Sequence, residues 1–211
     1  MADEDKVFFK LFELQARKGD LKKYEIVCAA IECIGEMGIQ NLTFQAIGTK
    51  LGIGKSHVVY HFPTIEQIVE NAVKYTTAVA QQITIEKIGK AKDWRGQVRG
   101  YVEGAFIWCE KHPDQASLMM AFFHLCTHQN QYRELHEKIR TVGQQRLAAV
   151  LERHLKPKSK AAEKARLLSM AIQSMITGNI VEAISCKGST AIHKLREDTV
   201  QAVMLILQNA E

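Results

Sequence analysis

The stretch "GTKLGIGKSHVVYHF", Gly48 to Phe62, admits two readings, and the fold depends on which one holds. Its "GIGKS" has the look of a nucleotide-binding loop. The same letters suit the turn and second helix of a DNA-reading motif. A phosphate-binding loop needs G-x-x-x-x-G-K-[ST] after a buried strand, because its backbone amides wrap the phosphates only at that loop length. Counted from Gly48, the second glycine belongs at position 53, where the chain has Ile53. The preceding "NLTFQAI" carries a helix N-cap signal rather than a strand, and no βαβ pattern follows. The nucleotide reading therefore fails on spacing and on context. In the helix-turn-helix reading, Thr43 caps a short helix over 44–51 whose Ala46, Ile47 and Leu51 face a core. Gly52 then gives the backbone freedom for a tight turn, Ile53 points inward, and Gly54 opens a second helix over 55–61. Two short helices joined in this way leave the second proud of the surface, where its first turn can enter a major groove.

Outward from this motif, the chain reads as all-α. Apolar residues recur every three or four positions at Leu21, Ile26, Ala29, Ala30, Ile34 and Met37, and again at Val98, Val102, Ala105, Phe106 and Cys109. The same period returns at Leu168, Ile172, Met175 and Ile176, and at Leu195, Val203, Ile206 and Leu207. Pro63 precedes Thr64, an N-cap candidate whose hydroxyl can accept from the Gln67 amide. Pro113 fits a first helical turn, Pro157 separates two long helical patterns, and Gly38 and Gly89 read as C-terminal stops. The expectation is roughly nine helices, over 21–37, 44–51, 55–61, 64–88, 94–111, 114–128, 130–155, 159–186 and 190–209, with a short extra one led by "VFFKLFELQARKG".

Composition is that of a folded globular chain: 211 residues, 46% hydrophobic and 24% charged. Five cysteines (28, 33, 109, 126 and 186) form no CxxC pair and suit reduced thiols in a cytoplasmic protein. The start "MADEDK" does not read as a secretory leader, and no uninterrupted run of about 18 apolar residues suggests a membrane span. The net charge of +5 permits a polyanionic partner without demanding one. From Arg17 to Phe62 six positive side chains stand against four negative ones, leaving only +2, so a nucleic-acid reading rests on placement rather than on bulk charge.

Gly38, Leu42-Thr43, Ile47, Leu51-Gly52-Ile53, Tyr60-His61-Phe62 and Glu66 stand as in the TetR family of bacterial transcriptional regulators, which the N-terminal region resembles. The rest of the chain resembles that family only as a helical companion of suitable length. The resemblance implies an N-terminal three-helix helix-turn-helix domain over 1–66 and a C-terminal helical ligand-binding and dimerisation domain over 67–211. It also implies a homodimer bound to a near-palindromic DNA operator, usually as a repressor, and released by a small-molecule effector. Lys55, Ser56 and His57 then occupy the first turn of the reading helix, with Lys55 able to bond guanine O6 and N7. Tyr60 and His61 match positions that touch phosphates, and Thr43 and Thr64 sit where helix N-termini offer amides to phosphate. Three departures stand out. Val59 replaces a common phosphate-binding tyrosine, Ile65 a frequent lysine, and Gly54 the usual serine or threonine cap. Each lost phosphate contact shallows the salt dependence by roughly one unit of slope, so weaker or less salt-sensitive DNA binding is expected.

In the companion region, "YVEGAFIWCEKH" and "LMMAFFHLCTH" hold more large apolar residues than one narrow stripe requires. Ordinary core is one reading. The other makes Trp108, Met119, Phe122 and Phe123, with Trp94, Tyr101, Met170 and Ser174, the lining of a site for an apolar or aromatic effector, methionine giving adaptability. Gly96, Gly100 and Gly104 lay a groove for close helix approach. His124 and His128, at i,i+4, have metal-compatible spacing but lack the zinc-protease glutamate, and a structural pair is the expectation, with no metal. The last two helices are long and amphipathic and suit a four-helix homodimer interface. No catalytic constellation or cofactor motif stands out, so an enzyme is not expected. The alternative is a helical ligand-sensing or protein-interaction protein whose helix-turn-helix no longer reads an operator.

Overall fold

The computed structural model describes residues 3–15, 17–186 and 189–209, and these are helical almost throughout. The helices are α1 (Asp3–Leu11), α2 (Lys18–Met37), α3 (Phe44–Leu51), α4 (Lys55–His61), α5 (Ile65–Gly89), α6 (Trp94–Lys111), α7 (Pro113–His128), α8 (Asn130–Glu152), α9 (Ala161–Ser185) and α10 (Ser189–Gln208). Short 3-10 turns at Ile39–Asn41 and Lys158–Lys160 precede α3 and α9. The all-α expectation holds. So do the stops and starts assigned to glycine and proline: the Gly38 amide closes α2 onto the Ile34 carbonyl at 3.0 Å, and Pro113 opens α7. The extra leading helix forms as well, beginning a few residues earlier than its apolar letters suggest.

The chain divides into two compact units that are not continuous in sequence. One comprises residues 1–79 and 112–132, the other 80–111 and 133–211. Within the first, α2 is the central strut and packs on α1, α3, α4 and α7. It can do so because Ile26, Val27, Ala30, Ile31 and Ile34 recur on its inner side and are all buried. The Asp114 carboxylate of α7 lies over Gly35, where a Cβ would meet Oδ1 at 2.3 Å, so a bare backbone at that position is what admits the head of α7. In front of α2, the Phe8 ring of α1 sits 5.1 Å from Tyr24 and 5.5 Å from Tyr75 of α5, and these two tyrosines meet edge to face at 5.8 Å. The membership of α7 in this unit was not visible in the chain's order.

In the second unit, α6, α8, α9 and α10 share one apolar core. It includes Val98, Val102, Leu147, Leu151, Ile172 and Val203, each contributing roughly 1.5–3 kcal/mol on burial. The glycine groove on α6 is real at two of its three positions. A Cβ on Gly104 would stand 2.7 Å from Thr84 Cα, and one on Gly100 would stand 3.0 Å from the Lys87 carbonyl, so α5 and α6 lie backbone to backbone there. Gly96 serves a different end: its amide donates to Asp93 Oδ1 at 2.7 Å in the first turn of α6.

Candidate nucleic-acid interface

The motif is built by local chemistry. The Thr43 hydroxyl accepts from the Ala46 amide at 3.0 Å and fixes the start of α3. At its end Gly52 adopts the left-handed conformation, φ 65°, ψ 30°, which reverses the chain without a Cβ penalty. The Ile53 amide then donates to the Gly48 carbonyl at 2.9 Å. Gly48 makes this turn possible in a second way, since a Cβ there would stand 2.8 Å from the Ile53 carbonyl oxygen. The glycine that suggested a phosphate loop is thus a packing glycine. Gly54 caps α4 with extended backbone and no side chain, and the His57 amide donates to its carbonyl at 3.0 Å.

One residue anchors α4 from below: Val58 is fully buried, and Phe62, at 6% exposure, closes the helix beneath the motif. Of the residues that the sequence reading assigned to DNA, all but His61 are exposed. Lys55, Ser56 and His57 are exposed, and Tyr60 is 83% exposed, an unusual position for so large a ring. His61 is half-buried, with its imidazole edge-on to Tyr60 at 5.1 Å. Thr64 is exposed, and its hydroxyl accepts from the Gln67 amide at 3.2 Å, so α5 also presents a capped N-terminus on the motif's flank. Val59 and Ile65, two of the departures from the family pattern, are both half-buried apolar residues.

The charges around the motif are unevenly placed. Lys50 of α3 is committed to α2, with Nζ 2.7 Å from Glu36 and 3.1 Å from Glu32, and these hydrogen bonds push its pKa above the ordinary lysine range. Lys22 of α2 is ion-paired with Glu25 one turn on, and Lys23 follows it in sequence. The sequence offered them only as bulk charge, yet both act on His61. Burial first, then Lys23, Lys22 and His57, hold that imidazole below its ordinary pKa.

The residues proposed to line an effector site are divided between the two units. Met119, Phe122 and Phe123 belong to the first unit, while Trp94, Tyr101, Trp108, Met170 and Ser174 belong to the second. Phe122 is buried against Tyr132, ring centroids 6.0 Å apart, and Met119 and Phe123 are half-buried. In the second unit Trp94 stacks on His154 at 5.3 Å, and the Tyr101 hydroxyl donates to the Gly143 carbonyl at 3.2 Å. Trp108 is buried, Met170 half-buried and Ser174 exposed. An open groove of about 450 Å³ runs between α6 and α10, lined by Arg99, Glu103, Arg196, Met204 and Leu205 among others, and holds none of these candidates. His124 and His128 stand edge to face at 5.1 Å, and no cluster of three metal-ligating side chains occurs among the described residues. None of the five cysteines is in a disulfide; Cys109 lies in the second unit and Cys126 in the first.

Residues 26–72 match the sequence model of bacterial regulatory proteins of the tetR family. No curated protein matches the chain in sequence. Among solved structures, a transcriptional regulator from Rhodococcus sp. Rha1 superposes with a TM-score of 0.72 at 17% identity, over 89% of this chain and 97% of that one. A candidate transcriptional regulator from Saccharomonospora viridis, solved in complex with choline, gives 0.74 at 17% identity, over 87% and 96%. A TetR transcription regulator from Haloarcula marismortui gives 0.72 at 14% identity, over 87% and 97%. At these identities the likeness is one of fold.

Proposed function

We propose that this chain, whose residues 26–72 match the sequence model of bacterial regulatory proteins of the tetR family, is a homodimeric repressor that leaves a palindromic operator when a small, largely apolar ligand binds. One observation carries the reading. Lys55, Ser56, His57 and Tyr60 are all exposed on a short helix anchored by fully buried Val58. That is the arrangement a reading helix needs: base-edge donors at its leading turn, backbone contacts at its far end, and a rigid seat below. Residues 1–66 act as the reading head and 67–211 as the sensing and pairing part, in a cytoplasmic protein that performs no chemistry beyond binding.

Pairing is assigned to α9 and α10. Leu167 is 51% exposed and Leu205 59% exposed in the single chain, and Ala171, Ser174, Thr177 and Gly178 continue an exposed stripe of small residues along α9. The span Lys158–Ser185 is long and apolar enough to cross a membrane by length and composition, with only 22% of its most apolar window buried. In a DNA-binding protein, a second copy is the cover that suits such a face. Paired heads must lie one helical turn of DNA apart, or a multiple, so a small displacement of α5, which runs from the head into the sensing part, is enough to break simultaneous docking. The effector is assigned to the second unit, with Trp94, Tyr101, Trp108 and Met170 as the candidates there. The choline held by the Saccharomonospora viridis protein is in keeping with a small-molecule effector for this fold.

Selection of bound duplexes from a random DNA pool, followed by footprinting of the winners, tests the reading. Enrichment of a near-palindrome protected on one side of the helix is expected. A pool that stays random after repeated rounds removes operator recognition.

A further inference from the structure

Away from the reading head, positive charge collects in two short stretches of the second unit. Across 90–95 and 152–160, seven positive side chains stand against two negative ones, a balance of +5. That equals the net charge of all 211 residues, so the rest of the chain sums to zero. The fold brings the two stretches together. The Trp94 ring at the start of α6 stacks on His154, just past the end of α8, with centroids 5.3 Å apart and planes within 9° of parallel. The Arg95 guanidinium lies over the same tryptophan at 5.4 Å. Some of these cations serve α8 itself. Arg153 Nε donates to the Ala149 carbonyl at 2.9 Å and Lys158 Nζ to the Arg153 carbonyl at 2.6 Å, at the helix end that favours positive charge. Lys90, Lys92, Lys156 and Lys160 have no such task. All four are exposed, and among the described residues their ammonium groups have no acidic partner. Asp93, the acid between the first two, accepts from the Gly96 amide at 2.7 Å.

Gathering like charges without countercharge works against the folded state, and a polyanion removes that repulsion. We infer that Lys90, Lys92, Lys156 and Lys160, on two stretches joined by the Trp94–His154 stack, form a second, sequence-indifferent contact surface for the phosphate backbone of duplex DNA. The type of cation selects the partner. Lysine heads on flexible stems are point charges without the planar fork that fixes a single carboxylate or phosphate, so they suit a repeating backbone better than one headgroup. The exposed large hydrophobics of the described chain, such as Leu167 and Leu205, include none of these residues. The surface therefore lacks both the apolar wedge that would seat it in a bilayer and the platform on which single-stranded bases stack. Each lysine that neutralises a phosphate steepens the salt dependence by about 0.9 in slope. The inference goes beyond operator reading and does not depend on it, because this unit contains no part of the reading helix.

The probe is a mixed-sequence duplex of roughly 30 base pairs, about three turns. It is titrated with the full chain by fluorescence anisotropy from about 50 to 200 mM salt. Lys156→Glu with Lys160→Glu should lower affinity roughly tenfold or more at the low-salt end and flatten the salt slope by about two. Lys90→Gln with Lys92→Gln, on the other stretch, should flatten the slope by the same amount without reversing a charge. Lys138→Glu with Lys194→Glu makes the same change in net charge on exposed lysines elsewhere in this unit, and should cost about threefold or less. The difference between the two glutamate pairs should persist in a Lys55→Ala background, and circular dichroism should show helical content unchanged in every variant. Equal losses in the two glutamate pairs, or an unaltered slope in both pairs drawn from the surface, overturn the inference. So does a Lys156→Glu, Lys160→Glu protein that loses vesicles containing phosphatidylserine but keeps the duplex, which makes the surface a membrane contact. A wild type that holds a selected operator but no mixed-sequence duplex removes the surface and leaves operator recognition standing. A random pool that never enriches, with the slope difference intact, does the reverse.

Discussion

Gly48→Ala separates the geometry of the turn from the stability of the helix that precedes it. Alanine at a helical position ordinarily gains about 1 kcal/mol over glycine. Here the new methyl stands 2.8 Å from the Ile53 carbonyl oxygen, with the Lys55 nitrogen at 3.5 Å and the Gly54 carbonyl carbon at 3.6 Å, where ordinary contact begins near 3.4 Å. The obstacle is backbone, so no side chain can swing aside. The turn retreats by the difference, about 0.6 Å, and strains the Ile53–Gly48 hydrogen bond. Overpacking of this kind costs roughly 1–3 kcal/mol. Net of the helix gain, the loss of stability is about 0–2 kcal/mol, a few degrees in Tm for a chain of this size. DNA binding should suffer more, because Lys55 follows the displaced turn by two residues and a reading side chain tolerates about 0.5 Å of misplacement. One good bidentate base contact is worth roughly 1–3 kcal/mol, so a loss of about tenfold or more is expected. Thermal unfolding and anisotropy on a selected operator measure the two effects on one preparation. A variant more stable than wild type that binds the operator undiminished would refute the close-approach argument.

Further expectations follow from other parts of the fold. Phe8→Ala removes a ring that is 1% exposed and wedged between Tyr24 and Tyr75; a cost of about 3–5 kcal/mol should appear as a lowered Tm and earlier proteolytic cutting near the N-terminus. Leu167→Glu places a charge on the exposed face of α9, where the single chain has room for it; light scattering should show a dimer becoming a monomer with helical content unchanged, and a wild type already monomeric at micromolar concentration counts against pairing there. Asp114→Asn should stabilise the protein at neutral pH, because burial first, then Glu32 and Glu36, raise the Asp114 pKa against the opposing pull of Lys50. The folded state then favours the protonated carboxyl, so its stabilising contribution is present at low pH and is lost as pH rises through the folded pKa. Urea titrations should show the gain of the asparagine variant at neutral pH and its disappearance below the aspartate range.

What the chain disclosed in its letters and what it withheld divide along a physical line. The reading head was legible because its determinants are local. Thr43 caps a helix that starts one residue later, Gly52 makes a turn whose conformation few other residues tolerate, and Val58 and Phe62 repeat at helical spacing. Each can be judged from its immediate neighbours. Even the role of Gly48 was nearly readable, since a glycine in a short helix before a tight turn is out of place unless something approaches it closely. The effector candidates show the opposite case. Phe122, Trp108 and Tyr101 are identical in type and spacing whether they fill a core or line a cavity, and only tertiary placement, which puts α7 in one compact unit and α6 in the other, separates them. Gly35 under Asp114 belongs to the same class, because nothing in "ECIGEMG" indicates that a residue nearly eighty positions on must fit there. Lys22 and Lys23 fall between the two. Their charge was counted, but a sum over the segment balanced them against Glu32 and Glu36, which the fold turns toward Lys50 instead. Net charge along a segment measures attraction only when its members share a face. Here Glu32 and Glu36 are held by Lys50 and Glu25 by Lys22, so the fold pairs these charges in ways that a sum along the chain does not show.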